Sequence, residues 1–133
     1  MRKIGIDPGV SGAIVVLYNG QPSDAYRMPI MKIGKSSRVN ASALAAMLRP
    51  YSASYVPVQV YVEQVGAMPG QGVSSMFSFG HSCGVIAGIL GAFKMPVELV
   101  PPQAWINHEA VSFRAHLGHD DEIGPAAVCP PDR

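Results

Sequence analysis

The sequence predicts an α/β fold: one mixed five-stranded sheet with helices on both faces. Three observations lead there. The first 28 residues read as three consecutive strands, two of them joined by Asn19-Gly20. Helix-like and strand-like segments then alternate to about residue 100. Finally, 48% of the 133 residues are hydrophobic and only 14% charged, so one domain spanning 1–133 can bury a core without disulfides or structural metal. This composition excludes a disordered tail, a histone-like basic binder and a coiled coil. The 14 Gly and 12 Pro follow no three-residue period, which excludes collagen.

Each element has its own signal. Lys3 to Asp7 reads as a buried strand and Pro8 to Gly12 as a tight turn. Ala13 to Tyr18 is rich in β-branched residues, and Asn19-Gly20 suits a turn with positive φ at both positions. A more polar third strand is expected around Asp24 to Met28, followed by a basic, polar loop from Met31 to Val39. Asn40 is placed to cap a helix over Ala41 to Arg49, with Pro50 marking its end. Val56 to Val62 alternates as a strand closing on Glu63, with Pro57 keeping its first residues unpaired or at an edge. After a Gly-rich loop, Val73 to Phe93 reads as a long helix with apolar groups at Val73, Met76, Phe77, Ala87 and Leu90. Gly80, Gly84 and Gly88 recur every fourth residue; this costly ridge predicts close approach of another backbone, either the sheet or a second subunit. Val97 to Val100 is a last short strand before Pro101-Pro102. The order βββ-α-β-α-β-(α) is that of the ribonuclease H-like arrangement.

Charge is unevenly spread beneath a net +1. Residues 2–49 carry seven basic groups against Asp7 and Asp24, whereas Glu63 is the sole charged side chain from 50 to 93. The remainder is acidic. Two cysteines, Cys83 and Cys129, form no zinc-binding spacing and fit a reducing compartment. The start MRKIGID reads as a strand rather than a signal peptide, and the apolar run Val85 to Phe93 is short for a bilayer. A soluble, cytoplasmic protein with no membrane partner is expected.

Two carboxylates draw the chemistry together. Asp7 ends the first strand and Glu63 the fourth, each directly before a Gly-rich turn. If those strands are neighbours, both acids sit at one sheet edge, where open α/β sheets form ligand crevices. Close carboxylates repel unless a cation intervenes, and an all-oxygen site suits Mg²⁺ or Mn²⁺. The alternatives are a turn-capping role for Asp7 and a solvated strand end for Glu63.

Three ordered blocks resemble the RuvC-type Holliday junction resolvases: Ile4-Gly-Ile-Asp7-Pro-Gly9-Val-Ser-Gly12, Val62-Glu63-Gln64-Val65 and Pro102-Gln103-Ala104-Trp105. The stretch from Glu63 to Gly80 is most similar to phage and prophage-type members. The resemblance covers residues 1 to about 105 and implies a homodimeric, ribonuclease H-like endodeoxyribonuclease. It would cut four-way DNA junctions on two Mg²⁺ ions, Mn²⁺ substituting, leaving a 5′-phosphate and a 3′-hydroxyl. Asp7 and Glu63 match the first two metal-binding acids. Asp120 and Asp121 are the candidates for the remaining acids, with Asp121 as the third metal ligand. Lys32, Lys35 and Arg38 would contact phosphates, Met68 would take the place of a junction-wedging aromatic, and Gln71 and Gln103 would touch the sugar-phosphate chain.

The tail from 106 to 133 departs from the pattern. Ile106 and Asn107 stand where the family tends to have a Lys. One turn after Asp121 comes Gly124 and then Pro125, so the family's final catalytic helix is expected to be shortened or missing. That leaves an alternative function, a catalytically defective junction-binding module lacking the last metal-binding acids. Asp120 to Glu122 then read as a solvated acidic end, and Lys32 to Arg38 as solvated loop charge. An actin-like nucleotide-binding role for the Asp7-Pro-Gly9 turn is set aside, because it needs two such domains.

Overall fold

The computed structural model describes residues 1–66, 69–102 and 104. Seven strands and two helices follow in the order β1 (Arg2–Ile6), β2 (Ala13–Tyr18), β3 (Gln21–Arg27), β4 (Ile30–Ile33), β5 (Ser36–Val39), α1 (Ala41–Ser52), β6 (Val58–Glu63), α2 (Val73–Ala92) and β7 (Val97–Val100). The main sheet has the order β3-β2-β1-β6-β7, with the first three strands antiparallel and β6 and β7 parallel to β1. This is the mixed five-stranded sheet expected. Asn19 and Gly20 adopt φ of 50° and 82°, the paired positive values that a tight β2–β3 turn requires.

The main cluster of the core lies on one side of the sheet, while Val15, which alternates onto the other side, is buried as well. Ile4 and Ile6 of β1 stand in register with Val16 and Ile14 of β2 and with Val60 and Val62 of β6, so their side chains share a face. Leu44 and Leu48 of α1 and Ile86 and Leu90 of α2 close over them. Both described helices therefore cover the same face, and the helix expected on the opposite face falls outside the described residues.

Four local expectations are corrected. Residues 30–39 form a separate two-stranded hairpin, β4–β5, rather than a loop. The Lys and Ser content masked two short strands around Gly34, which takes φ 61° at the first turn position. Helix α1 does not stop at Pro50 but runs on to Ser52. Tyr51 packs on the core and holds Tyr26 through a 3.1 Å hydroxyl contact, which offsets the one helical hydrogen bond that Pro50 cannot donate. Its start is as expected: Asn40 accepts from the Ala43 amide at 3.1 Å.

The other two corrections concern α2. Its buried stripe is Ser82, Ile86 and Leu90, whereas Val73, Met76, Phe77 and Ala87 are exposed. Ser82 hides in that stripe because its hydroxyl donates to the Ser78 carbonyl at 3.1 Å. Among the described residues nothing lies within 4 Å of a Cβ placed at Gly80, Gly84 or Gly88, so the ridge does not seat the helix on its own sheet, the first of the two approaches expected for it. By length and composition this 20-residue helix could cross a membrane, which the shorter run Val85 to Phe93 did not register. Its Ile86 and Leu90 nonetheless belong to the same core as the sheet.

Candidate active site and nucleic-acid interface

The β1–β6 pairing brings the two acids together. The parallel register runs from Arg2↔Val58 to Ile6↔Val62, so Asp7 and Glu63 are the next residues on both strands. Neighbouring strands lie about 4.8 Å apart, and side-chain alternation turns both residues away from the Ile6/Val62 face. Both are partly buried. Glu63 also stands opposite Val100 at the end of β7, and the Gln64 amide donates to the Val100 carbonyl at 2.8 Å. The described parts of the three sequence blocks thus converge: Asp7, Glu63 and Pro101-Pro102 follow one another across the same end of the sheet.

The turn after Asp7 is built to fix it. The Asp7 amide donates to the Ala13 carbonyl at 2.9 Å, and the Gly12 amide donates to Gly9 at 3.2 Å. A Cβ on Gly12 would overlap the Asp7 carbonyl oxygen, so only glycine lets the chain double back here. Gly9 holds φ 144° beneath the Phe79 ring, which would lie 3.5 Å from a Cβ. Phe79 therefore ties the N-terminal half of α2 to the turn that carries Asp7. The first turn of α2 itself carries no acidic residue.

The hairpin that carries the basic residues starts near this edge. The Met28 amide donates to the Gly12 carbonyl at 2.9 Å, and the hairpin starts two residues later. Lys32 donates to the Ser37 hydroxyl at 2.9 Å, and Lys35 stands exposed in the hairpin turn. The Arg38 guanidinium lies 5.2 Å from the centroid of the Phe77 ring, joining the hairpin to α2. Gln71 is exposed immediately before the Gly72 N-cap of α2. Met68, Gln103, Asp120 and Asp121 lie outside the described residues. Among the described residues no group of three or more His, Cys, Asp or Glu side chains gathers to hold a metal. Asp7 and Glu63 by chemistry suit a hard divalent cation as two of its ligands.

Sequence reasoning missed two features. The hairpin exposes Ile30, Met31 and Ile33, for which the alternation around Gly34 was the available signal. Phe79 packs against the Asp7 turn, and nothing in its spacing marked that role.

No protein-family model matches the chain, and no curated protein does. Among solved structures, the chain is similar to Thermus thermophilus RuvC in complex with Holliday junction substrate, with a TM-score of 0.58 at 17% identity. The match covers 95% of this chain and 84% of that one. A second Thermus thermophilus RuvC structure aligns over 95% of this chain and 86% of its own, with 18% identity and a TM-score of 0.47. At 17% identity the first likeness concerns architecture: the chain has the RuvC fold, a ribonuclease H-like mixed sheet.

Proposed function

We propose that the chain is a structure-selective endonuclease that resolves four-way DNA junctions by phosphodiester hydrolysis in recombination and repair. The observation that carries this reading is the register continuation that sets Asp7 beside Glu63 at the C-terminal ends of parallel β1 and β6. Supporting it are the basic hairpin whose base lies next to that edge and the similarity in fold to Thermus thermophilus RuvC in complex with Holliday junction substrate. Within that group, the Glu63 to Gly80 stretch argues for the phage-type branch.

Asp7 and Glu63 would hold Mg²⁺, or Mn²⁺ in its place, with Asp121 as a further ligand and Asp120 beside it. Two such ions, when bound, supply an activated water and charge neutralisation at the leaving oxygen. Water adds to phosphorus, the 3′-oxygen leaves and takes up a proton, and the products are a 5′-phosphate and a 3′-hydroxyl. The chain's own contribution is placement. The Gly9–Gly12 turn and Phe79 hold Asp7, the β6–β7 pairing holds Glu63, and Lys32 and Lys35 attract the phosphate backbone.

The reading includes a homodimer, since a junction offers two symmetry-related strands to cut. Among the described residues nothing lies within 4 Å of a Cβ at Gly80, Gly84 or Gly88, and Val73 and Phe77 are 82% and 66% exposed, which makes α2 the helix for that contact. A cytoplasmic setting accords with a DNA substrate.

Incubation with a synthetic four-way junction in Mg²⁺ tests the proposal. Paired nicks with 5′-phosphate ends are expected. Binding without cleavage, even in Mn²⁺, would select the junction-binding module instead, and absence of any binding would overturn both.

A further inference from the structure

The β4–β5 hairpin joins positive charge to exposed apolar side chains at a place where neither serves the core. The register pairs Met31 with Arg38 and Ile33 with Ser36, so these four residues occupy one face of the ribbon. Met31 and Ile33 are 44% and 55% exposed there. The opposite face pairs Ile30 with Val39 and Lys32 with Ser37; Val39 is buried at the base and Lys32 reaches the surface. The base is firmly held. The Asn40 amide donates to the Pro29 carbonyl at 2.8 Å, Asn40 caps α1, and Arg38 stacks on Phe77. The tip, Ile33-Gly34-Lys35-Ser36, is exposed throughout.

From residue 25 to 62 there is no acidic side chain, while Arg27, Lys32, Lys35, Arg38 and Arg49 are all basic. That charge fits a polyanion, and a two-stranded ribbon has the dimensions to enter a DNA groove. Ile and Met are among the residues that DNA-binding proteins insert at unstacked base steps. A branch point offers such steps where its arms part; a continuous duplex does so only at the cost of unstacking.

We propose that the β4–β5 hairpin is a branch-point wedge: Ile33 and Met31 cover bases left unstacked at the crossing, while Lys32 and Lys35 hold the flanking phosphates. Arg38 is a positioning residue, which fixes the ribbon against α2 through Phe77 rather than binding phosphate itself. The inference rests on the DNA-junction reading above and adds to it the element that recognises branching.

The test compares a four-way junction with a linear duplex of equal length, by fluorescence anisotropy in EDTA at fixed salt. Ile33→Ser should weaken junction binding about tenfold, an apolar contact of about 1.4 kcal/mol, and change duplex binding less than about twofold. Ile33→Met, which keeps an apolar tip, should restore most of the loss. Lys35→Ala should weaken both substrates alike and lower the salt slope by about one. Circular dichroism of each variant should match the parent chain. An equal loss on both substrates, or none, from Ile33→Ser would overturn the wedge and leave the junction reading intact. A parent chain that binds neither DNA would overturn both. A change in oligomeric state on Ile33→Ser would reassign this face to contact between copies.

Discussion

The two ends of strand β1, about 17 Å apart at the usual rise per residue, are built on opposite principles. At its start, Arg2 is enclosed by partners: its guanidinium donates to the Ser54 hydroxyl at 2.8 Å and lies 5.8 Å and 5.7 Å from the Tyr18 and Tyr51 rings. Nearby, Tyr51 contacts Tyr26 and donates to Asp24 at 3.4 Å, so α1 is tied to the sheet edge by polar groups that satisfy one another. At the other end, Asp7 is followed by a turn that only glycine permits, beside a second acid and a basic ribbon. One end uses polar residues to hold the fold; the other uses the fold to hold polar residues together. Altering each end should therefore have separable effects.

The largest contrast should come from Asp7→Asn against Arg2→Ala. Loss of the Asp7 charge should lower junction cleavage roughly a thousandfold, about 4 kcal/mol of transition-state stabilisation, with an unchanged unfolding midpoint. Arg2→Ala should do the reverse, costing about 2 kcal/mol of stability while the cleavage rate of folded protein stays the same. Equal effects on rate and stability from either variant would erase the distinction.

Gly12→Ala should affect both quantities, because its Cβ displaces the Asp7 carbonyl. A loss of about 2–3 kcal/mol is expected, read by urea unfolding, together with slower cleavage at temperatures where the variant is folded. The helix ridge should behave oppositely. Among the described residues a Cβ at Gly84 meets nothing within 4 Å, so Gly84→Leu should raise helix stability by about 0.8 kcal/mol yet abolish the dimer in sedimentation velocity.

The smallest effect on function belongs to Tyr51. Burial first, then the Tyr26 and Asp24 contacts, raises its phenol well above the ordinary value of 10.0. The unfolded chain therefore loses this proton at lower pH than the folded one, and the associated stability, complete below pH 10, is lost as pH rises above it. Tyr51→Phe should cost about 1 kcal/mol near neutrality, flatten that alkaline decline and leave cleavage untouched.

What was legible in the sequence follows the same division. Strand β1, the Asn19-Gly20 turn, the Asn40 cap and the Asp7/Glu63 pairing each depend on local chemistry or on a short register argument, and the structure has them in place. The misreadings arose where tertiary contacts decide. Pro50 signals a helix end, but Tyr51 carries the helix past it. The hairpin was concealed because its strands are four residues each and one holds only a single buried side chain, Val39. The buried face of α2 was misassigned because a Ser lies within its stripe and large apolar groups lie outside it. Periodicity ranks side chains by polarity and does not say which of them meet a neighbour.

The central claim is that Asp7 and Glu63 act as one site. Single-turnover cleavage of a four-way junction by Asp7→Asn, Glu63→Gln and the double variant, at saturating protein, measures this directly. Each single variant should lose roughly a thousandfold, and the double variant should be no slower than the worse single one, as for groups that act as a unit. Multiplying losses, or cleavage retained by either single variant, would contradict the account.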